Sequence, residues 1–259
     1  MKHELCKVSD RIYYMDFGPD TDRPNLGYIK GDKYSLMFDC GASAAHVEEY
    51  RRVLAENGLA FPDAAVLSHW HWDHALGMSF LGIPVIAGKE TNEKLKEVCK
   101  WEWNLEDMKK RVESGEDILF CYDMVQREHG MDLKAIPRFR TADIVFEESL
   151  DIDLGGVTCR IRHVGGPHSK DSVICYVPEE EFAFLSDSAG KDLFGMPWNY
   201  DPEKPEEAGI EMGKMPYDAE ALNAYLAELA KYPFKNCIKG HEYHTSRDVF
   251  IASMAGPDL

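Results

Sequence analysis

Residues 68–74 read Ser68-His69-Trp70-His71-Trp72-Asp73-His74, which packs three imidazoles and a carboxylate into one short stretch. Burying so many polar groups together is costly unless they share a cation. In an extended segment, residues two apart face the same way, so His69 and His71 can grip one ion. A turn into a helix near Ala75 would swing Asp73 and His74 toward a second position beside the first. Imidazole-rich ligation suits zinc above all, with iron or manganese as alternatives. The plainer reading is a polar surface loop stacked on Trp70 and Trp72, and the tight ligand spacing disfavours it.

Working outward, residues 64–68 form a short apolar strand that runs straight into the cluster. Before it, strands are expected at 5–8 and 12–15 around a Ser9-Asp10 turn, and at 26–29 and 34–38 around residues 31–33. A helix over 44–57 is stopped by Gly58. A strand at 83–87 follows the cluster.

From residue 89 to about 130 the pattern turns helical. Leu95, Val98, Trp101, Leu105, Met108 and Val112 recur at steps of three and four, one apolar stripe on a long helix. Trp103 stands roughly 200° around the wheel from Trp101, so it is expected to face away from the stripe and be exposed. A second helix through Ile118, Tyr122 and Val125 folds back.

Strands return at 144–146, 151–154, 157–163, 172–177 and 181–185. An irregular stretch over 196–216, a helix over 218–231 and a strand over 236–239 close the pattern. Two β-rich halves, each with its helix, flank a helical insertion. The expected architecture is α/β (α+β): an αββα sandwich forming one domain over 1–259, with the insertion at about 89–135.

Composition narrows the function. The formal net charge of −17 opposes binding to a polyanion, so nucleic acid and anionic membrane are not expected partners. No run of about 18 apolar residues is present to cross a membrane. Residues 1–7 carry no apolar segment of a secretory signal, and the scattered cysteines never stand in CxxC spacing. Together these features predict a cytoplasmic protein acting on a small molecule.

The cluster resembles the HxHxDH signature of the metallo-β-lactamase superfamily. That family adds a histidine, an aspartate and a final histidine downstream, and all three occur here in order. His168 follows Gly165-Gly166-Pro167, Asp187 stands in Leu185-Ser186-Asp187-Ser188, and His241 follows Lys239-Gly240. The resemblance implies that one metal takes His69, His71 and His168. A second takes Asp73, His74 and His241, and Asp187 bridges the two. It also implies that Asp39, in Phe38-Asp39-Cys40-Gly41, supports the ligands from behind, though a turn residue before Gly41 reads equally well.

A site of two Zn²⁺ ions (Fe or Mn as alternatives) implies hydrolysis of a small ester, thioester, lactone or phosphodiester by a metal-bridging hydroxide. Asp73 is the candidate catalytic group that orients it and relays its proton. Two alternatives stand beside the zinc hydrolase: an oxidoreductase resembling the mononuclear iron persulfide dioxygenases, and a metal-binding protein without turnover. Candidate substrate-binding residues are Trp103, Trp198, Tyr200 and His244, with the insertion as lid over an apolar substrate or, alternatively, as the interface of a homodimer.

Overall fold

The computed structural model describes residues 3–130, 138–194 and 218–254. Its first sheet has seven strands in chain order: β1 (Leu5–Lys7), β2 (Ile12–Met15), β3 (Leu26–Lys30), β4 (Ser35–Phe38), β5 (Ala64–Leu67), β6 (Val85–Gly88) and β7 (Ile144–Phe146). The first four pair antiparallel, β2 and β3 across the longer connection of residues 16–25, whereas β4 to β7 pair in parallel. Parallel neighbours need crossovers. Helix α1 (Ala44–Glu56) supplies one of them, with Ser43 accepting a hydrogen bond from the His46 amide as its N-cap.

The second sheet has six strands: β8 (Ser149–Asp153), β9 (Thr158–His163), β10 (Val173–Val177), β11 (Phe182–Ser186), β12 (Asn236–Lys239) and β13 (Thr245–Ser246). Between the sheets lies an apolar layer that includes Ile12, Ile29, Phe38 and Val66 from the first and Ile161, Val173, Phe184 and Ile238 from the second. The outer face of the first sheet is covered by a core built with α1, the short helices α2 (Trp72–Ala75) and α3 (Met78–Leu81), and helix α4 (Lys89–Val98). The outer face of the second is covered by α7 (Ala219–Leu229) and α8 (Arg247–Ser253). This is the expected αββα layering.

The helical insertion departs from its sequence reading. The single long helix is two: α4 ends at Val98, and α5 (Leu105–Ser114) starts after Asn104, whose side chain caps it by accepting from the Asp107 amide. Trp103 therefore lies in a loop, where the helical wheel does not apply. It is only 8% exposed and packs on Phe139 with ring centroids 4.9 Å apart. The Arg111 guanidinium covers both Trp101 and Trp103 at 4.6 and 5.2 Å. The expected exposed Trp103 is thus a core residue, buried by contacts with Trp101, Phe139 and Arg111.

Helix α6 (Leu119–His129) folds back as expected and is tied to the body of the protein near its C-terminal end. Arg23 Nε donates to both Glu128 oxygens at 2.8 and 2.9 Å, and its Nη1 donates to Glu49 on α1 at 2.9 Å. Ser43 also donates a short hydrogen bond to Glu128. Among the described residues, no helix is long and apolar enough to cross a membrane.

Candidate metal centre

The motif acquires its geometry where β5 ends. Ser68 and His69 are fully buried, His71 is the residue before a short helix α2 (Trp72–Ala75), and that helix carries Asp73 and His74. Asp171, in the loop before β10, holds the segment by accepting the Trp70 amide at 3.1 Å. His168 comes from the loop between β9 and β10, Asp187 directly follows β11, and His241 follows β12. Since β11 and β12 are parallel, their trailing loops emerge at the same edge. Gly240 is required there, because a Cβ would collide with Asp187 Oδ1.

Two candidate ligand sets result: His69, His71 and His168, and Asp73, His74, Asp187 and His241, the donor atoms of each set lying within 4.8 Å of one another. In the first, His71 Nδ1 and His168 Nε2 are 2.9 Å apart. In the second, Asp73 Oδ2 lies 3.0 Å from His74 Nε2 and 3.3 Å from His241 Nε2. Asp187 Oδ2 faces both sets, at 3.2 Å from His74 Nε2, 3.3 Å from His241 Nε2 and 3.7 Å from His168 Nε2.

The donor chemistry fits divalent cations. His69 Nε2 is fully buried and has no hydrogen-bond partner among the described residues, an arrangement that is costly unless an ion takes the lone pair. Burial and the neighbouring imidazoles hold His69 and His71 well below the usual histidine range, so they stay neutral and able to ligate. Burial also opposes charge on His74 and His241, yet the carboxylates around them outweigh it and raise both. Those protons balance Asp73 and Asp187, which the imidazolium groups keep ionised in spite of burial. A divalent cation would supply the same balance.

The ligands are braced from behind. His74 Nδ1 lies 2.9 Å from Asp39 Oδ2, and Asp39 Oδ1 accepts the Ser68 amide at 3.0 Å. Asp39 has φ of 70°, so it is the turn residue as well as the brace. His168 Nδ1 is 2.8 Å from the Lys191 carbonyl oxygen, which therefore accepts from it. Asp22, which the sequence did not signal, has Oδ1 3.7 Å from His241 Nδ1. Burial pushes the Asp22 carboxyl up to about 7, against the pull of His241.

The centre opens into a cleft of about 370 Å³. Ile118, Phe120 and Cys121, at the start of α6, line one wall, and Leu193 and Phe194 after β11 line another. The insertion thus borders the cleft, but through α6 rather than Trp103, which contacts only a small aromatic crevice off it. His244 does not line the cleft; it is exposed, with Nδ1 3.2 Å from the Tyr14 hydroxyl. Trp198 and Tyr200 lie outside the described residues.

The model of the metallo-β-lactamase superfamily matches residues 19–224. A comparison with curated protein sequences finds no match. Solved structures of similar fold include a metallo-β-lactamase from Pontibacter korlensis, at TM-score 0.64 and 17% identity, covering 98% of this chain and 97% of that one. Another is a metallo-β-lactamase with a HARLDQ motif from Cronobacter sakazakii, at TM-score 0.59 and 16% identity over 92% and 78%. A double mutant of the sec-alkyl sulfatase PisA1 aligns at TM-score 0.62 and 17% identity over 97% of this chain and 40% of its own. At such identities the likeness is one of fold.

Proposed function

Because this chain belongs to the metallo-β-lactamase superfamily, we propose that it is a two-zinc hydrolase of small esters or thioesters with an apolar acyl group. One observation carries the reading: Asp187 Oδ2 stands between two adjoining ligand sets. Two zinc ions held there supply a water of lowered pKa (about 7 rather than 15.7) and a polarised acyl oxygen.

The protein's own groups do the rest. Asp73, kept ionised by His74 and His241, offers a carboxylate to take and pass on the proton of the attacking water. The Ile118, Phe120, Leu193 and Phe194 walls exclude bulk water and orient the acyl chain toward the metals. Lys239 lies 2.5 Å from Glu242 at the cleft rim, so its charge is already partnered, which favours an uncharged acyl group over an anionic one.

The test is metal analysis joined to a panel of p-nitrophenyl esters, thioesters, lactones and phosphodiesters. We expect about two zinc equivalents, hydrolysis of esters or thioesters, and loss of metal from both sets in Asp187→Ala. One iron per chain and no hydrolysis would overturn the reading in favour of the oxygenase.

A further inference from the structure

Ser186 closes β11 just before Asp187. It is 4% exposed and has φ of 50°, in the left-handed region where side chains other than glycine are strained. The register of β11 against β12 shifts between Phe184 and Ser186, so the strand is irregular at this residue. A serine held in a position suited to glycine needs a reason, and its hydroxyl supplies one. Ser186 Oγ donates to Asp39 Oδ2 at 2.8 Å. It also lies 2.8 Å from Ser68 Oγ, which lies 2.9 Å from His69 Nδ1.

Each hydroxyl has one proton. Ser186 gives its own to the carboxylate, so toward Ser68 it can only accept. Ser68 must then donate to Ser186, and toward His69 it too can only accept. The chain therefore runs one way and requires the proton of His69 on Nδ1. That leaves Nε2 bare, and Nε2 is the buried atom without a partner.

We propose that Ser68 and Ser186 are positioning residues that lock His69 in the tautomer able to ligate through Nε2. The Asp39 carboxylate anchors this chain and the His74 Nδ1 contact together. The proposal rests on the metal-centre reading above. It assigns the strained backbone at Ser186 a function, since glycine would relieve the strain but end the chain.

Two variants separate this role from plain packing. Ser186→Ala removes the hydroxyl and keeps the strain, whereas Ser186→Gly removes both. Zn²⁺ affinity, measured by competition with a chelator, should fall roughly 10–100-fold in each variant. Melting of the metal-free protein should be no lower for Ser186→Gly than for Ser186→Ala, so affinity and stability part company. Imidazole ¹⁵N spectra of the metal-free protein should show His69 as the single Nδ1–H tautomer, and a mixture in both variants. Unchanged zinc affinity in both variants, or an unchanged His69 tautomer in Ser186→Gly, overturns the proposal. Were the wild type to take up no zinc, the two-zinc reading would fall alone, and the spectra would still decide the tautomer lock.

Discussion

His46 is wholly buried on α1, where its Nδ1 accepts the Ala42 amide at 3.2 Å and its Nε2 has no partner among the described residues. Burial, with Arg23 and His3 nearby, holds its pKa well below the ordinary histidine value. The unfolded chain takes up this proton as pH falls through about 6.5, while the folded chain does not. The contribution is therefore complete above that pH and is lost below it. His46→Gln should flatten the acid limb of stability by up to about 1.4 kcal/mol per pH unit, read from urea unfolding of the metal-free protein between pH 5 and 7. Equal slopes in the two proteins would show that His46 titrates alike folded and unfolded. At this scale the seven residues that the fold gathers into two clusters were legible, because candidate ligand chemistry writes itself into residue type and spacing. Asp22, Asp171 and Ser186 were not, since a lone acid or hydroxyl acts only through neighbours that are distant in the chain. Trp103 misled for the reverse reason: its exposure was inferred from a helix that is not there.

Helix α6 joins two features that lie far apart in sequence. Its first turn carries Phe120 into the cleft, and near its last turn Glu128 binds Arg23, the neighbour of Asp22. Loosening one end should be felt at the other. Glu128→Gln weakens a largely buried charged hydrogen-bond pair and should cost about 1.5–3 kcal/mol of stability, with Glu49 still holding Arg23. It should also raise KM for longer acyl esters several-fold with little change in kcat. A shift of kcat alone, with KM constant, would mean that α6 does not set the acyl wall. Most strands were readable from alternation and turn residues, and α1 and α7 from their apolar faces. The break between α4 and α5 was passed over although its signal was present, an Asn104 cap with Asp107 three residues on. The apolar spacing of Trp101 and Leu105 continued across the gap and imitated one helix.

Across the whole molecule, the centre draws on both sheets. The motif that follows β5 comes from the first, while His168, Asp187 and His241 come from loops of the second. An ion shared between them would brace the two layers against each other, so binding should stabilise the folded state alone. At a free zinc concentration a thousand times Kd this amounts to about 4 kcal/mol. For a chain of this size, chelation should then lower Tm by about 8–16 °C. A melting curve that is unmoved after metal analysis confirms removal would show that the layers hold without the ion. The crossing of ligands between layers also bears on the order of folding. Asn25, at the edge of β3, donates to the carbonyls of Lys239 and Glu242 at 2.8 and 2.6 Å, which clasps the loop bearing His241 to the first sheet. Contacts of such long sequence separation carry a larger loop-closure cost than the local pairing of β1 with β2 or of β3 with β4. The second candidate ligand set is complete only when that clasp has closed, so a chain in which it is open offers a cation no more than fragments of the centre.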